Sequence, residues 1–380
     1  MKSITSWICL FFLTAPMQSK EPSFSQTPLF VGGLDSVVEY RIPGLVTTNT
    51  GTLVAVCDAR VDRPGDAINN IDLVVKRSTD LGKTWMPMQV IVDFPGKEAA
   101  CDPCIAHDRH TNRVWVFYDH ILDHVAKPGT QSREKRIIHL HAIYSDDEGV
   151  TWSGPRNLTP IIKMPVWDAV LAGPGRGSQT RNGYLLIPCY SIRPDCSYAQ
   201  VLVSTDHGGT WKLSKGARAE TNESAVVELT DGRWLLNSRD ARREGYRVVS
   251  TTKNQGANWI TPSNAKNLPE PCCQGSVIRY TDTRDGFQKN RLLFSNPADS
   301  SQRRRMTVRM SYDEGETWPI AKVIYDGPTA YSCLTVLPNG TIGLLYESGD
   351  QSPYERIHFA AFNLEWLTDG IDALDGPVSE

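Results

Sequence analysis

The sequence lacks a strong excess of charge of either sign: it has 380 residues, 40 of them Lys or Arg and 43 Asp or Glu, with a formal net charge of -3. Proteins that bind nucleic acid concentrate positive charge, so this balance argues against a nucleic-acid partner. Long apolar runs are also scarce, and no run after the N-terminal stretch ITSWICLFFLTAP would cross a bilayer. Helical periodicity is scarce throughout, which favours strands.

The N-terminal apolar stretch follows Lys2 and has the length of a secretory signal, which is too short for a comfortable membrane span. We therefore expect residues 1–20 to be a signal peptide and the protein to be secreted or periplasmic, without membrane insertion. A retained membrane anchor is the alternative.

Cysteine occurs nine times, but not in a pattern that binds zinc. Cys101 and Cys104 form the motif CDPC, and the second pair that a four-cysteine zinc site requires is missing. We expect buried thiols, with a disulfide such as Cys189–Cys196 as an alternative in an exported protein. The sequence implies no metal and no organic cofactor.

One octapeptide recurs with the pattern S-x-D-x-G-x-T-W. The copies are STDLGKTW at 78, SDDEGVTW at 145, STDHGGTW at 204, SYDEGETW at 311 and a degraded TKNQGANW at 252. The Ser and Asp side chains can accept backbone amides, and the Gly permits a positive φ. A calcium loop is the alternative, but one acidic position per copy offers too few oxygen ligands. We interpret each copy as a hairpin turn.

A second repeat occurs six times and consists of a turn followed by a strand, as in TGTLVAVCDAR at 50 and NGTIGLLYE at 339. Together the two repeats read as strand, turn, strand, loop, strand, octapeptide turn, strand. Six such units predict an all-β fold, a six-bladed β-propeller with four-stranded antiparallel blades. The last unit lacks an octapeptide, and we expect the N-terminal segment around SQTPLFVGG to supply its fourth strand.

Strand parity predicts where the polar residues meet. Both hairpin turns of a blade lie at one end of its strands, so residues before the first strand or after the second lie at the other end. Eight polar residues hold such positions: Arg41, Arg60, Asp66, Glu223, Arg239, Arg303, Tyr331 and Glu347. Converging arginines bind an anion through paired hydrogen bonds, although for any single arginine a surface salt bridge is the alternative.

The ordered motifs RIP at 41, NES at 222, NSR at 237, YSCL at 331 and LLYE at 344, together with the octapeptides, resemble the exo-α-sialidase family over nearly the whole chain after the signal. The resemblance implies a catalytic domain over residues 21–380. It also implies a glycoside hydrolase that releases terminal sialic acid from glycoproteins, glycolipids or oligosaccharides with retention.

The resemblance implies that three arginines grip the carboxylate of sialic acid. These are Arg41, Arg239 and Arg303, the last chosen from the run that includes Arg304 and Arg305 because it lies eight residues before the last octapeptide.

The resemblance further implies that Tyr331 is the nucleophile, that Glu223 takes its proton, and that Asp66 is the acid and base, with Asp62 and Asp72 as rivals. A phenol suits this role because the sugar already carries a carboxylate, which would repel an anionic nucleophile.

Four residues have supporting roles in the same resemblance. Glu347 steadies the first arginine, and Arg60 is a further arginine of the rim. Asp102 and Trp167 line the pocket for the acyl-amino group, with packing as an equal alternative.

Other functions remain open on the sequence alone. They are a non-catalytic sialoglycan-binding propeller, a structural or receptor-type propeller, and a related enzyme that transfers sialic acid or acts on its deaminated form.

Overall fold

The computed structural model describes residues 20–122, 137–261, 264–374 and 376, so residues 1–19 of the predicted signal peptide lie outside the described part. Nearly all its regular structure is strand; the helices are the single turns α1 (Thr159–Ile162) and α2 (Leu364–Leu367), with a 3-10 turn at Thr283–Asp285. The predicted all-β class is therefore confirmed. No helix among the described residues has the length and hydropathy of a membrane span.

Short and medium strands follow one another along the described chain. They are β1 (Phe24–Val31), β2 (Glu39–Thr47), β3 (Leu53–Arg60), β4 (Ile71–Ser78), β5 (Gln89–Val92), β6 (Ala99–Asp108), β7 (Arg113–Ile121), β8 (Ile138–Ser145), β9 (Arg156–Asn157), β10 (Ala169–Ala172), β11 (Gly175–Arg176), β12 (Ser178–Gln179), β13 (Leu185–Ile192), β14 (Ser197–Ser204), β15 (Lys212–Leu213), β16 (Thr221–Glu228), β17 (Trp234–Asp240), β18 (Tyr246–Thr252), β19 (Asn264–Pro269), β20 (Ser276–Thr281), β21 (Arg291–Pro297), β22 (Arg304–Ser311), β23 (Ile320–Val336), β24 (Ile342–Ser348) and β25 (Arg356–Phe362).

The strands pair into four sheets in the described part of the chain. Their orders are β2-β3-β4-β6-β7-β8-β9 with β5 beside β4 and β11 beside β6, β10-β13-β14-β15 with β12 beside β13, β16-β17-β18-β19, and β1-β25-β24-β23-β22-β21-β20. The sheets do not separate into six units for two reasons. The 17-residue β23 pairs with β22 through its first half and with β24 through its second, and one parallel pair, Ile71 with Ala99, joins β4 to β6.

The N-terminal strand β1 completes the last sheet. It runs antiparallel to β25, from Phe24 opposite Phe362 to Val31 opposite Arg356. This confirms the predicted origin of the fourth strand in the last unit. The pairing also covers the edge of β25, which would otherwise present unpaired backbone groups.

The octapeptide turns share one hydrogen-bond pattern. In the copy at 204, the Ser204 hydroxyl accepts the Gly208 amide at 2.8 Å, and the Asp206 carboxylate accepts the Thr210 amide and hydroxyl at 2.8 and 2.7 Å. His207 and Gly208 adopt positive φ angles of 57° and 89°, which explains the glycine. The copies at 78, 145 and 311 make the same contacts, so the interpretation as hairpin turns is confirmed.

The core lies between the facing sides of neighbouring sheets. Trp115 and Phe117 of β7 meet Trp211 edge-on, with ring centroids 5.9 and 5.0 Å apart, in a cluster that joins β6, β7 and β8 to β10, β13 and β14. Burial of one such large side chain contributes roughly 1.5–3 kcal/mol. This packing fixes the spacing between the strands that carry the polar residues.

The eight described cysteines are free thiols, and all but Cys196 are buried. This corrects the alternative of a Cys189–Cys196 disulfide. In the β13–β14 hairpin Cys189 lies opposite Gln200 and its side chain is part of the core, whereas Cys196 lies in the turn. Cys101 and Cys104 are buried as well, so the expected buried thiols are confirmed.

Candidate active site

Two cavities open at opposite ends of the same strands. Strand β2 brings Arg41 to the first cavity and Thr47 to the second, while β23 brings Tyr331 to the first and Thr335 to the second. Strands β6 and β16 run between the two cavities in the same way. The first cavity has a volume of about 520 Å³ and the second about 740 Å³.

The first cavity collects eight of the nine site residues predicted from the sequence. They are Arg41, Arg60, Asp66, Asp102, Glu223, Arg239, Arg303 and Tyr331. Glu347, the ninth, is fully buried and contacts Arg41 and Tyr331 from behind. The eight residues that strand parity places at one end of the strands therefore do meet there, with seven lining the first cavity and Glu347 behind it.

Four strands are irregular where they enter the first cavity. Register shifts lie between Arg41 and Gly44 in β2, Cys101 and Cys104 in β6, Thr221 and Ser224 in β16, and Thr329 and Ser332 in β23. Ile42 and Asp102 adopt positive φ angles of 62° and 57° at two of these points. A bulge redirects a side chain that regular alternation would point elsewhere, so each of these strands presents one polar residue to the cavity.

A buried carboxylate holds Arg41. The Nε and Nη2 atoms of Arg41 donate to Glu347 at 2.8 and 3.1 Å, and the amides of Ile42 and Tyr331 donate to the same carboxylate at 2.8 and 2.9 Å. Burial opposes the charge of Arg41, but Glu347 outweighs that effect and raises the pKa of Arg41. Glu347 thus ties β2 to β23 and fixes the first arginine.

Arg239 and Arg303 approach Tyr331 from different strands. Nη1 of Arg239 donates to Glu223 at 2.7 Å and to the Tyr331 hydroxyl at 3.0 Å. Arg303 donates to the Tyr354 hydroxyl and to a backbone carbonyl, both at 3.0 Å, and no described carboxylate lies within ion-pair distance of it. Its charge is therefore available to an anion in the cavity.

Only the first member of the arginine run at 303 faces the first cavity. Arg304 pairs with Asp299 at 2.7 Å, and Arg305 pairs with Asp326 at 3.3 Å, both on the surface. The choice of Arg303 from the sequence agrees with this geometry.

The Tyr331 hydroxyl lies within a network of charged groups. It donates to Glu223 at 2.7 Å, and the guanidinium carbons of Arg41 and Arg303 lie 5.0 and 5.4 Å from its ring centroid. Burial raises the pKa of Tyr331 well above its usual value, and Glu223 adds to the rise while Arg239 and Arg303 oppose it. The phenol is therefore neutral at neutral pH, with a base and cations in contact.

Asp66 lies on the loop after β3 at the mouth of the first cavity. Its Oδ1 accepts from Nη2 of Arg60 at 2.8 Å, and its side chain is 82% exposed. Glu39 holds Arg60 from the other side at 3.0 Å. The rivals Asp62 and Asp72 do not line the cavity, so of the three only Asp66 has access to it.

Asp58 is a site residue that the sequence analysis missed. Its Oδ1 accepts the Asp102 amide at 3.0 Å, and its Oδ2 lies 3.7 Å from Arg60. Burial raises the pKa of Asp58, and burial together with Glu223 raises the pKa of Asp102 to about 7. Residue 58 is two positions before Arg60, and residues two apart on a strand point to the same face. This period of two would have predicted Asp58 beside Arg60.

Aromatic residues complete the site differently from the prediction. Tyr190 lines the first cavity, and the ring of Tyr354 lies 4.1 Å from the guanidinium carbon of Arg41; no motif marks either residue. Trp167 lies outside the cavity and packs on Arg193 at 4.6 Å beside the core. Of its two predicted roles, packing is the one that the structure supports.

The second cavity is also rich in arginine, but its arginines are engaged by neighbours. Arg181 pairs with Asp285 at 2.6 Å, Arg279 with Glu314 at 2.5 Å and Arg284 with Asp282 at 2.6 Å. Arg109 donates to the side chain and the backbone carbonyl of Gln179, and Arg176 donates to the Leu334 carbonyl. No tyrosine is among the described residues that line this cavity.

Two clusters in the described residues place three metal-binding side chains close together. They are His120 with His139 and His141, and Asp108 with His110 and His207. Neither cluster lies in the first cavity.

Known proteins resemble this chain over most of its length. The family described as BNR repeat-like domain matches residues 45–344. A sialidase of Micromonospora viridifaciens is 37% identical over 365 residues, which cover 91% of this chain and 55% of that protein. A sialidase of Bacteroides fragilis is 37% identical over 335 residues, which cover 83% of this chain and 61% of that protein. The matched region therefore spans less than two thirds of these two relatives.

A solved structure agrees with the sequence relatives. The Hadza microbial sialidase Hz136 superimposes with a TM-score of 0.82 and 36% identity, over 90% of this chain and 69% of that one. The repeats, the arginines around Tyr331 and these similarities lead to one conclusion. The chain belongs to the exo-alpha-sialidase family.

Proposed function

We propose that the protein is an exo-α-sialidase, a glycoside hydrolase that releases terminal sialic acid from glycoproteins, glycolipids or oligosaccharides. The observation that supports this best is the Tyr331 hydroxyl, which contacts Glu223 at 2.7 Å and Arg239 at 3.0 Å in a cavity that Arg41 and Arg303 also line. A phenol beside a base and beside guanidinium groups suits nucleophilic attack on an anionic sugar.

The strands are arranged, in this proposal, as a six-bladed propeller of four-stranded antiparallel blades. The ladders that support it are β2 to β5, β6 to β9, β10 with β13 to β15, β16 to β19, β20 to β22 with the first half of β23, and the second half of β23 with β24, β25 and β1. The likeness to a solved sialidase agrees with such a ring. The first cavity then lies at one mouth of the ring, and the octapeptide turns lie around the other.

Three arginines bind the carboxylate of sialic acid. Arg41 and Arg239 are already oriented by Glu347 and Glu223, and Arg303 has no described carboxylate partner. Hydrogen bonds to a charged group contribute about 1.5–3 kcal/mol each. Arg60 and Asp102 form the adjoining wall and contact other groups of the sugar.

Electrostatics explains why the nucleophile is a phenol. The anomeric carbon of sialic acid carries a carboxylate, and a second anion about 4 Å away would be repelled by about 4 kcal/mol at an effective dielectric constant of 20. A neutral Tyr331 approaches without this repulsion. Glu223 then accepts its proton as the bond to carbon forms.

Two displacements complete the reaction. In the first, Tyr331 Oη bonds to the anomeric carbon, Glu223 accepts the phenol proton, and protonated Asp66 donates to the glycosidic oxygen as the alcohol leaves. In the second, Asp66 takes a proton from water, the water oxygen bonds to the anomeric carbon, and Tyr331 departs and recovers its proton from Glu223. Two inversions give net retention.

The protein is exported in this proposal, with residues 1–20 as a signal peptide and residues 21–380 as the catalytic domain. The support is the short apolar stretch after Lys2. Mass spectrometry of the N terminus of the protein recovered outside the cytoplasm tests this, and an intact Met1 there would contradict it.

A fluorogenic α-sialoside tests the enzymatic proposal. We expect release of the fluorophore, and proton NMR of the first product should show the α anomer of sialic acid. Binding without release would identify a non-catalytic glycan-binding propeller, and a first product in the β form would exclude the double displacement. Added lactose that becomes sialylated would identify a transferase, and a preference for the deaminated sugar would identify the related hydrolase.

A further inference from the structure

Three histidines lie together on one face of the β7–β8 ladder, apart from the first cavity. His120 is directly opposite His139, and His141 lies two positions further along β8, opposite Tyr118. The ring centroids of the three histidines are 5.0 to 6.3 Å apart. One ring nitrogen of each lies within 4.8 Å of the nitrogens of the other two.

Two of these rings leave a buried nitrogen without a hydrogen bond among the described residues. They are Nδ1 of His120 and Nε2 of His141, in side chains of residues that are each only 8% exposed. A buried polar atom without a partner is rare in native proteins. Two such atoms in one cluster indicate a ligand that is shared between the rings.

The opposite nitrogens of the same rings are engaged, as they are in metal-binding histidines. Nε2 of His120 is 2.8 Å from a carboxylate oxygen of Glu98, and Nδ1 of His141 is 3.5 Å from the Tyr118 hydroxyl. Phe94 stacks on His120 with ring centroids 3.8 Å apart, which holds the orientation of that ring. A carboxylate or hydroxyl behind the ring orients the other nitrogen toward a metal.

We propose that His120, His139 and His141 form a Zn²⁺ site, with water as the fourth ligand. Imidazole donors suit zinc, and three histidines leave one position of a tetrahedron open. Zn–N bonds of about 2.0–2.1 Å place the ligand nitrogens about 3.3 Å apart, so binding draws the three rings together by small side-chain rotations.

The zinc would clamp strands that form a wall of the first cavity. Ile121 and Ile138 are paired neighbours of His120 and His139, and both line that cavity. Side chains alternate along a strand, so the histidines and the isoleucines lie on opposite faces. We therefore assign the metal a structural role, and the inference does not depend on the proposed hydrolase activity.

The second cluster does not have these features. Asp108 already accepts from the His110 amide, the Thr111 hydroxyl and the Gln179 amide group, and lies 2.8 Å from Nδ1 of His207. Its carboxylate is therefore satisfied without a metal. It serves as the matched control.

Zinc binding by the full chain, purified without a polyhistidine tag, tests the site. After removal of metal with EDTA and dialysis against ZnCl₂, we expect about one Zn²⁺ per chain by mass spectrometry of the element. We expect the same stoichiometry in His110→Gln and at least about tenfold weaker binding in His139→Gln. Zinc should raise the Tm of the wild type and of His110→Gln by a few °C, but not that of His139→Gln.

Two results would overturn the proposal. They are a wild type without stoichiometric zinc, and a His139→Gln variant that keeps the wild-type affinity. If His139→Gln does not fold, the wild type is treated with diethyl pyrocarbonate, with and without zinc, and the modification of His139 is measured. Bound Zn²⁺ should protect His139 from modification. Unprotected modification of His139 in the zinc-loaded protein would contradict the site.

Discussion

The two cavities, at the opposite ends of β2, β6, β16 and β23, are both lined by arginines, yet they differ in the groups that contact those arginines. In the second cavity, Arg279 and Arg284 each have an acidic partner within 2.6 Å. In the first, Arg303 has no described carboxylate partner, and Arg239 divides its donors between Glu223 and Tyr331. The number of arginines therefore does not distinguish the proposed active site from the second cavity, whereas the arrangement of the arginines around a phenol does.

The carboxyl groups of the two cavities also differ, in the direction in which their pKa values are shifted. In the first cavity, burial is the largest effect on the pKa of Asp58, which it raises, and on that of Asp102, which rises to about 7. Around the second, hydrogen bonds and Arg284 lower the pKa of Asp282 despite its burial. Carboxyl groups whose ionised form is disfavoured are typical of functional sites. Carboxylates that are paired with arginines are typical of structural ion pairs.

Removal of the Tyr331 hydroxyl should have the largest effect. We expect Tyr331→Phe to lower kcat for a sialoside by roughly 10⁴-fold or more, because the covalent step is lost. Steady-state kinetics of the folded variant measures this. The control is Tyr280→Phe, whose hydroxyl donates to the Gly340 carbonyl away from the first cavity, and which should retain activity. Equal activity of the two variants would contradict the role of Tyr331 as the nucleophile.

Asp66→Asn should have the next largest effect, and the effect should depend on the leaving group. We expect a loss of about 10²–10⁴-fold in kcat/KM with sialyllactose, because an alcohol must be protonated as it leaves. Phenol-type leaving groups need less protonation, so the loss should be smaller with an aryl sialoside. A loss that is the same for both substrates would show that Asp66 is not the acid.

The arginine comparison is tested by the same substitution in each cavity. Arg303→Lys should lower kcat/KM by about 10–100-fold, because a lysine cannot form the paired hydrogen bonds of a guanidinium group. Arg109→Lys, in the second cavity, should leave it within about twofold. If the two variants lose activity equally, the second cavity also takes part in catalysis or substrate binding.

The raised pKa of Asp102 predicts a small dependence of stability on pH. A carboxyl pKa of about 7 in the folded protein exceeds the unfolded value of about 3.9. Its contribution to stability is therefore complete below about pH 4 and is lost as the pH rises through about 7. Asp102→Asn should unfold with a free energy higher than the wild type by on the order of 1 kcal/mol at pH 8, and with no such gain at pH 4. Urea denaturation at both pH values measures this, and a pH-independent difference would contradict it.

The sequence predicted those features that follow from strand geometry. The octapeptide turns and the meeting of Arg41, Glu223 and Tyr331 at one end are consequences of hairpin reversals and of a period of two. The bulges that turn these side chains into the first cavity were not predictable, because a bulge depends on pairing across strands. Asp58 could have been predicted from the same period of two, since it lies two positions before Arg60, but no motif marks it.

Other features depend on contacts that no local pattern records. Tyr354 reaches Arg303 from 51 positions away in the chain, and the histidines at 120 and 139 meet only because β7 and β8 pair. In the sequence these histidines form no motif, because they lie on two strands that are brought together only by pairing. The Cys189–Cys196 alternative was wrong because the hairpin register places Cys189 opposite Gln200.

The most direct test of the account is to trap the covalent intermediate. A 2,3-difluorinated sialic acid with a good leaving group should react with the wild type, because fluorine slows the second displacement more than the activated first one. We predict one added sugar per chain by intact mass spectrometry, located on Tyr331 by peptide mapping and absent in Tyr331→Phe. An adduct on Asp66 or Glu223, or turnover by Tyr331→Phe at the wild-type rate, would contradict the account.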